Sequence, residues 1–252
     1  MRLALCGYGR MGREIERIAV ERGHTVVTRI DPADPGADAR TAADAPLADC
    51  DAVIEFSQAP AVVENARVYA KAGVSAVIGT TGWDAERDAV RKIVEASSIG
   101  YLVGSNFSVG ANLFFRIVSE AAGLLRPFDE YDVALVESHH NRKADSPSGT
   151  ALTTAQTILA ALPRKSALVD ETLRRPPEPH ELHVASLRIG SDPGTHTVLL
   201  DSPADTIEIR HRARNRSGFA LGSVRAAEWL AGRRGFCTVD DMMDDLIHRG
   251  EA

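Results

Sequence analysis

Between Glu137 and Leu152 the chain reads Glu-Ser-His-His-Asn-Arg-Lys-Ala-Asp-Ser-Pro-Ser-Gly-Thr-Ala-Leu, a concentration of groups able to move a proton or hold an anion. An imidazole ionises near neutrality, and a lysine four positions on adds fixed positive charge or a second donor. His139 and Lys143 therefore suit proton delivery to an anionic substrate. Pro147 or Ser148 can start a helix, leaving the amides of Ser148, Gly149 and Thr150 outward at the positive end of its dipole. That is a seat for a carboxylate. The bland alternative is a wet loop whose paired histidines are only surface. No closed metal-ligand set is visible: the three cysteines are scattered, and His139 and His140 would point apart on an extended chain.

These groups need elements to hold them. The apolar run Val133 to Val136 predicts a buried strand, with Glu137, His139, His140 and Lys143 leaving its end on a polar loop. At the start of the chain, the strand Arg2 to Cys6 runs into Gly7-Tyr8-Gly9-Arg10-Met11-Gly12, and Met11, Ile15, Ile18 and Arg22 follow at helical spacing. The pattern is G-x-G-x-x-G: a tight turn at Gly7, room for a pyrophosphate at Gly9, helix-on-strand packing at Gly12. A second strand, Thr25 to Ile30, ends at Asp31, about twenty residues beyond Gly12, where an acid can accept from an adenosine ribose. Asp31 also suits a turn ahead of Pro32.

Strands at 52–56, 74–78 and 99–103 then alternate with helices at 60–72 and 85–96, which predicts a parallel, doubly wound sheet. The strand ends carry Phe56-Ser57, Gly79-Thr80-Thr81-Gly82 and Gly104-Ser105-Asn106-Phe107, able to line a dinucleotide with amides and hydroxyls but also ordinary loop composition. Beyond Asn106 the pattern changes to a long helix, 110–125, and three consecutive strands at 182–189, 195–200 and 206–211. Strands without intervening helices predict antiparallel pairing, so this half reads as α+β with a mixed or antiparallel sheet. Helices at 219–230 and 239–248, the second capped by Thr238, are expected to return to the first domain. The expected domains are 1–107 with 214–252, and 108–213.

With 252 residues, 44% hydrophobic and 25% charged, the chain has the composition of a folded globular protein, and disorder as a whole is excluded. A net charge of -6 gives no sign of nucleic-acid binding, the basic cluster at 211–216 being local. No apolar run approaches a membrane span or a signal core, so the expectation is a cytoplasmic protein without membrane partners. Cys6, Cys50 and Cys237 read as reduced, with Cys6 in the core.

Taken together, the glycine turn, Gly79-Thr80-Thr81-Gly82, Asn106-Phe107-Ser108-Val109-Gly110-Ala111-Asn112 and above all Glu137 to Ala151 resemble the 4-hydroxy-tetrahydrodipicolinate reductase (dihydrodipicolinate reductase) family of the diaminopimelate route to lysine. The resemblance implies an α/β fold: a Rossmann-type doubly wound parallel sheet in 1–107 and 214–252, and a substrate-binding, tetramerising α+β domain in 108–213. It implies NAD(P)H-dependent reduction of a cyclic imine dicarboxylate, with His139 as proton donor and Lys143 as its partner. His140, Ser148, Gly149 and Thr150, with Arg216 as a further candidate, would hold the substrate carboxylates. Gly7, Tyr8, Gly9, Arg10, Met11, Asp31, Gly79, Thr80, Thr81, Gly104, Ser105, Asn106 and Phe107 would surround the dinucleotide, and the oligomer would be a homotetramer. Asp31 would repel a 2′-phosphate, while Arg10 or Arg29 could pair with one, so both cofactors are expected, NADH favoured over NADPH. Where some members carry an arginine after a Phe-Thr pair, this chain has Phe56-Ser57-Gln58. Two other readings stay open: an amino-acid dehydrogenase of the aspartate or homoserine type, which should lack the Glu137 to Ala151 series, and a noncatalytic NAD-sensing module with no need of His139 and Lys143.

Overall fold

Leu3, Ala4, Leu5 and Cys6 are all buried, as befits a strand covered on both faces. In the computed structural model, which describes residues 1–248, this strand, β1 (Arg2–Cys6), lies between β2 (Thr25–Ile30) and β3 (Ala52–Glu55). β4 (Ser75–Ile78), β5 (Gly100–Val103) and β11 (Gly235–Thr238) complete a six-stranded sheet of order β11-β5-β4-β3-β1-β2, every pair parallel. Alternation of side chains divides the core in two: Leu3 and Leu5 join one cluster, Ala4 and Cys6 the other. α1 (Arg10–Glu21), α6 (Ser217–Leu230) and α7 (Val239–His248) supply the first cluster with Ile15, Val224 and Met242. α2 (Val62–Ala72) and α3 (Arg87–Glu95) supply the second with Tyr69, Val90 and Val94. Helix α7 begins after Thr238, whose Oγ1 accepts from the Asp241 amide at 3.2 Å. β11 is absent from the sequence reading, because four residues after a charged turn carry no periodic signal.

The chain folds as two compact units, Met1–Val109 with the segment from Arg216, and Gly110–Asn215. In the second unit, β6 (Asp132–His139), β7 (Ala167–Val169), β8 (Glu181–Arg188), β9 (Thr195–Asp201) and β10 (Thr206–Arg212) form a mixed sheet of order β10-β9-β6-β8-β7. Phe114 and Val118 of α4 (Val109–Leu124) and Ala155 and Ile158 of α5 (Gly149–Ala161) pack on it with Leu135, Val184 and Val198.

Two expectations need correction. The consecutive strands β8 and β9 do not pair. β6 stands between them, antiparallel to β9 and parallel to β8, because the chain crosses over through α5 before β8 forms. Only β9 and β10 make the expected antiparallel neighbours. Nor does β6 end at Val136. It continues through His139, and Glu137 and His139 take the inward positions that follow Val133 and Leu135. Their polarity ended the strand in a reading of residue types, whereas the pleat carries them on into the protein.

Candidate active site

The inward row of β6 thus changes from apolar to ionisable at Glu137. That carboxylate is fully buried: Oε1 accepts from Arg188 Nη1 at 2.8 Å, and Oε2 meets His139 Nδ1. Burial would raise the Glu137 carboxyl, but hydrogen bonding and the charges of His139 and Arg188 outweigh it and hold it below the usual value. For His139 burial wins. Loss of water, with the positive charges of Lys143 and Arg188, pushes the imidazole below its ordinary value despite the opposing pull of Glu137.

The register β6·β9 sets His196 opposite Glu137, on the same face. Its ring stands edge-on to that of His139 with centroids 5.2 Å apart, and its Nε2 lies 3.1 Å from Ser148 Oγ. Burial above all, with the His139 charge, pushes His196 down to about 4. Ser148 caps α5, its Oγ accepting from the Ala151 amide at 3.1 Å, so the chain His139, His196, Ser148 leads to a helix N-terminus. Gly149, the first helical residue, faces open space. Lys143 turns back on the strand end, its amide donating to His140 O at 3.0 Å and its Nζ pairing with Asp145 at 2.8 Å. His140 itself is pinned through its amide to Asp192 O at 2.8 Å. The residues predicted at 139–150 therefore gather in one unit: His139 and Ser148 are linked through His196, and Lys143 lies near enough to act electrostatically on both histidines.

Glu137, His139 and His196 also bring ligand atoms within 4.8 Å of one another, a grouping invisible in the sequence. A cation there would compete with the guanidinium already on Glu137 and with the charge of Lys143, so the cluster reads as a hydrogen-bonding one. Close by, Pro193, Arg212, Ala213 and Arg214 line a cavity of about 540 Å³.

In the other unit the glycine turn has the conformation its spacing demands. Gly7 is at φ 88°, and a Cβ there would lie 2.1 Å from Phe56 O, while at Gly9 nothing would lie within 4 Å. The open space is at the N-cap of α1, a fitting seat for a pyrophosphate. Asp31 accepts three amides, from Tyr8 at 2.9 Å, Ala33 at 2.9 Å and Asp34 at 3.0 Å. Partial burial opposes its charge, but these bonds prevail and lower its pKa. It is an ionised acceptor at the strand end and a turn residue at once. Arg29 is engaged by Glu16 and Asp38 and so is not poised for a phosphate, whereas Arg10 is exposed at the start of α1. Among the strand-end residues, Thr80 and Phe107 are buried. Thr80 Oγ1 accepts from the Ser57 amide at 2.8 Å, and Phe107 packs edge-on to Phe56. Tyr8 is also buried, Met11, Gly79, Gly104 and Asn106 are half-buried, and Thr81 and Ser105 are exposed. Arg216 is exposed at the N-cap of α6, in this unit and not in that of His139.

What the residue reading missed is the support: Arg188, Asp192, Gly194 and His196. Each lies some fifty residues from His139 and meets it only through strand pairing.

Comparison with known proteins gives a consistent result. A family model described as "Dihydrodipicolinate reductase, N-terminus" matches residues 1–107, and one described as "Dihydrodipicolinate reductase, C-terminus" matches residues 110–243. The chain is 38% identical over 248 residues to a 4-hydroxy-tetrahydrodipicolinate reductase of Christiangramia forsetii, covering 98% of this chain and 99% of the relative. It is 40% identical over 261 residues to the enzyme of that description from Archaeoglobus fulgidus, covering 97% and 100%. In fold it is similar to a dipicolinate-bound dihydrodipicolinate reductase from Paenisporosarcina sp. TG-14, with a TM-score of 0.75 at 24% identity over 94% of this chain and 97% of the other.

Proposed function

The chain belongs to the dihydrodipicolinate reductase family, and from that premise we propose how its own residues carry out the reaction. The enzyme is an NAD(P)H-dependent oxidoreductase that reduces 4-hydroxy-tetrahydrodipicolinate to tetrahydrodipicolinate in the diaminopimelate route of lysine biosynthesis. Amino-acid dehydrogenase and NAD-sensing readings give way to that assignment.

The product lacks the substrate hydroxyl, so that group leaves as water together with a hydrogen of the ring, and a hydride and a proton are added to the ring. The nicotinamide supplies the hydride when bound. His139 supplies the proton, and Lys143 steadies the negative charge that reduction leaves on the ring. A positioned acid contributes about 10²- to 10⁴-fold to such a step. His140, Ser148, Gly149 and Thr150 receive the substrate carboxylates at the positive end of α5, with Arg216 assisting. The observation that carries this reading is the buried His139, coupled through His196 and Ser148 to that helix terminus.

On the nucleotide side, Gly7 to Met11, Asp31, Gly79 to Thr81 and Gly104 to Phe107 hold the dinucleotide. The ionised Asp31, and the engagement of Arg29 by acids, support NADH over NADPH, with both accepted. Domain limits of 1–107 with 214–252 and 108–213, and a cytoplasmic homotetramer, complete the proposal. Val136 and Leu187, apolar and exposed on the face of the second sheet away from α4 and α5, support association through that sheet. No helix among the described residues is long and apolar enough to cross a membrane.

The test is His139→Gln, assayed by NADH oxidation with freshly generated 4-hydroxy-tetrahydrodipicolinate. Turnover should fall by about 10²- to 10⁴-fold with NADH affinity unchanged. Wild-type turnover would remove His139 from its role.

A further inference from the structure

A buried carboxylate two residues before His139 has no part in the reaction as written above. Glu137 nonetheless faces two partners. Arg188 Nη1 donates to Oε1 at 2.8 Å, and the Nδ1 edge of His139 abuts Oε2. Because both side chains occupy alternate inward positions of β6, the pleat itself sets their separation. Arg188 is anchored in turn, its Nη2 donating to Asp145 O at 2.6 Å.

The other edge of the imidazole meets a residue with no side chain. Gly194 sits at φ 136°, and a Cβ there would lie 2.8 Å from His139 Nε2 and 3.1 Å from Cδ2. Its backbone is held on both sides: the amide donates to Asp192 Oδ1 at 3.0 Å, and the carbonyl accepts from Ala213 N at 2.9 Å. Any larger residue would cover the very nitrogen that Glu137 leaves uncommitted. Asp192 also accepts from Ser138 Oγ at 2.5 Å, tying this turn to β6.

We propose that Glu137 is a positioning residue that fixes the Nδ1 edge of His139, so that Nε2 delivers the proton through the gap kept open by Gly194. This rests on the reading of His139 as proton donor and names the atom that does it. In the step, imidazolium Nε2–H transfers its proton to the reduced ring, and His139 is left neutral with its remaining hydrogen on Nδ1, facing Glu137. Solvent restores the lost proton before the next turnover. An acceptor of fixed charge at Nδ1 selects that tautomer, the role such second partners play for catalytic and metal-bound histidines alike. It also opposes the burial that drives the imidazole toward its neutral form. Removing the Glu137 charge should therefore move the loss of activity on the alkaline side to lower pH.

The experiment combines ¹⁵N NMR of histidine-labelled enzyme with pH profiles of kcat and kcat/KM for wild type, Glu137→Gln, Glu137→Asp and Gly194→Ala. In wild type, neutral His139 should carry its hydrogen on Nδ1. Glu137→Gln should lower kcat about 10- to 100-fold with KM for NADH unchanged, and move the alkaline limb to lower pH. Glu137→Asp, which keeps the charge, should recover part of the rate and the wild-type limb. Gly194→Ala should lower turnover with the tautomer unaltered. Should Glu137→Gln unfold for want of a partner for Arg188, the double variant Glu137→Gln, Arg188→Met tests the same tautomer shift. A wild-type His139 with its hydrogen on Nε2, or a Glu137→Gln enzyme with unchanged kcat and pH limb, would overturn the inference while leaving His139 as donor. Wild-type turnover in His139→Gln would overturn both.

Discussion

Glu55 and Glu137 are both wholly buried carboxylates near the carboxyl end of a central strand, one in each sheet, yet they are held in opposite ways. Among the described residues, Glu55 is met only by neutral donors: Ser57 Oγ, Asn65 Nδ2 at 2.9 Å and Tyr69 Oη at 2.8 Å. Burial raises its pKa in spite of them. Glu137 faces Arg188 and His139, and its pKa is lowered. Burial alone therefore does not decide the direction of the shift; the partners count as well. The first acid is a structural hub whose pKa burial raises, the second a counter-ion to the Arg188 guanidinium.

The contrast can be broken most severely at Arg188. Arg188→Met should cost about 2–3 kcal/mol, toward the lower end for an uncompensated buried charge because the guanidinium keeps some water. Denaturant unfolding would measure it, and adding Glu137→Gln should return part of the loss. If the single variant is as stable as wild type, Glu137 is not held as an anion. Asp31 sharpens the contrast, since its three donors are backbone amides that no side-chain truncation removes. Asp31→Asn should cost about 1–2 kcal/mol and shift the ratio of catalytic efficiencies toward NADPH. An unaltered ratio would discharge Asp31 from cofactor choice. Glu55→Gln should change stability at neutral pH by less than about 1 kcal/mol, since an amide keeps an acceptor oxygen for the neutral donors around it.

The two acids should also part company when pH is varied. Both have an ordinary value of 4.5. Glu137, depressed in the folded state, contributes stability above 4.5 that is lost as pH falls through its lowered value. Glu55, raised, contributes most below 4.5 and loses it as pH climbs toward its raised value. Melting temperatures against pH should therefore converge for wild type and Glu137→Gln on acidification. For Glu55→Gln, the variant should gain on wild type as pH rises above 4.5. Parallel curves for both would refute the assignment of charge.

The sequence made the local features plain because local features have local causes. The turn at Gly7, the capping Ser148 and the acid at the end of β2 each depend on a few neighbours, and each stands where the spacing predicted. The inward position of Glu137 and His139 was hidden, since polar residues after an apolar run look like a strand's end until the pairing with β9 is known. Arg188, Gly194 and His196 were hidden for the same reason: nothing near them in sequence marks them as neighbours of His139. The parallel pairing of β6 with β8 follows from a crossover that residue types do not disclose.

The last strand of the first sheet, β11, lies beside β5 although more than a hundred residues separate them in the chain. Translation proceeds from the amino terminus, at roughly 5–20 residues per second. The inserted lobe is thus complete on the ribosome while the sheet that precedes it still wants its closing edge. The nascent amino-terminal half must wait for α6 and β11 to emerge, with the apolar face that α6 will cover bare in the meantime. A chain that stopped near Arg216 would leave the half of the protein made first without the helix and strand that cover and edge its sheet.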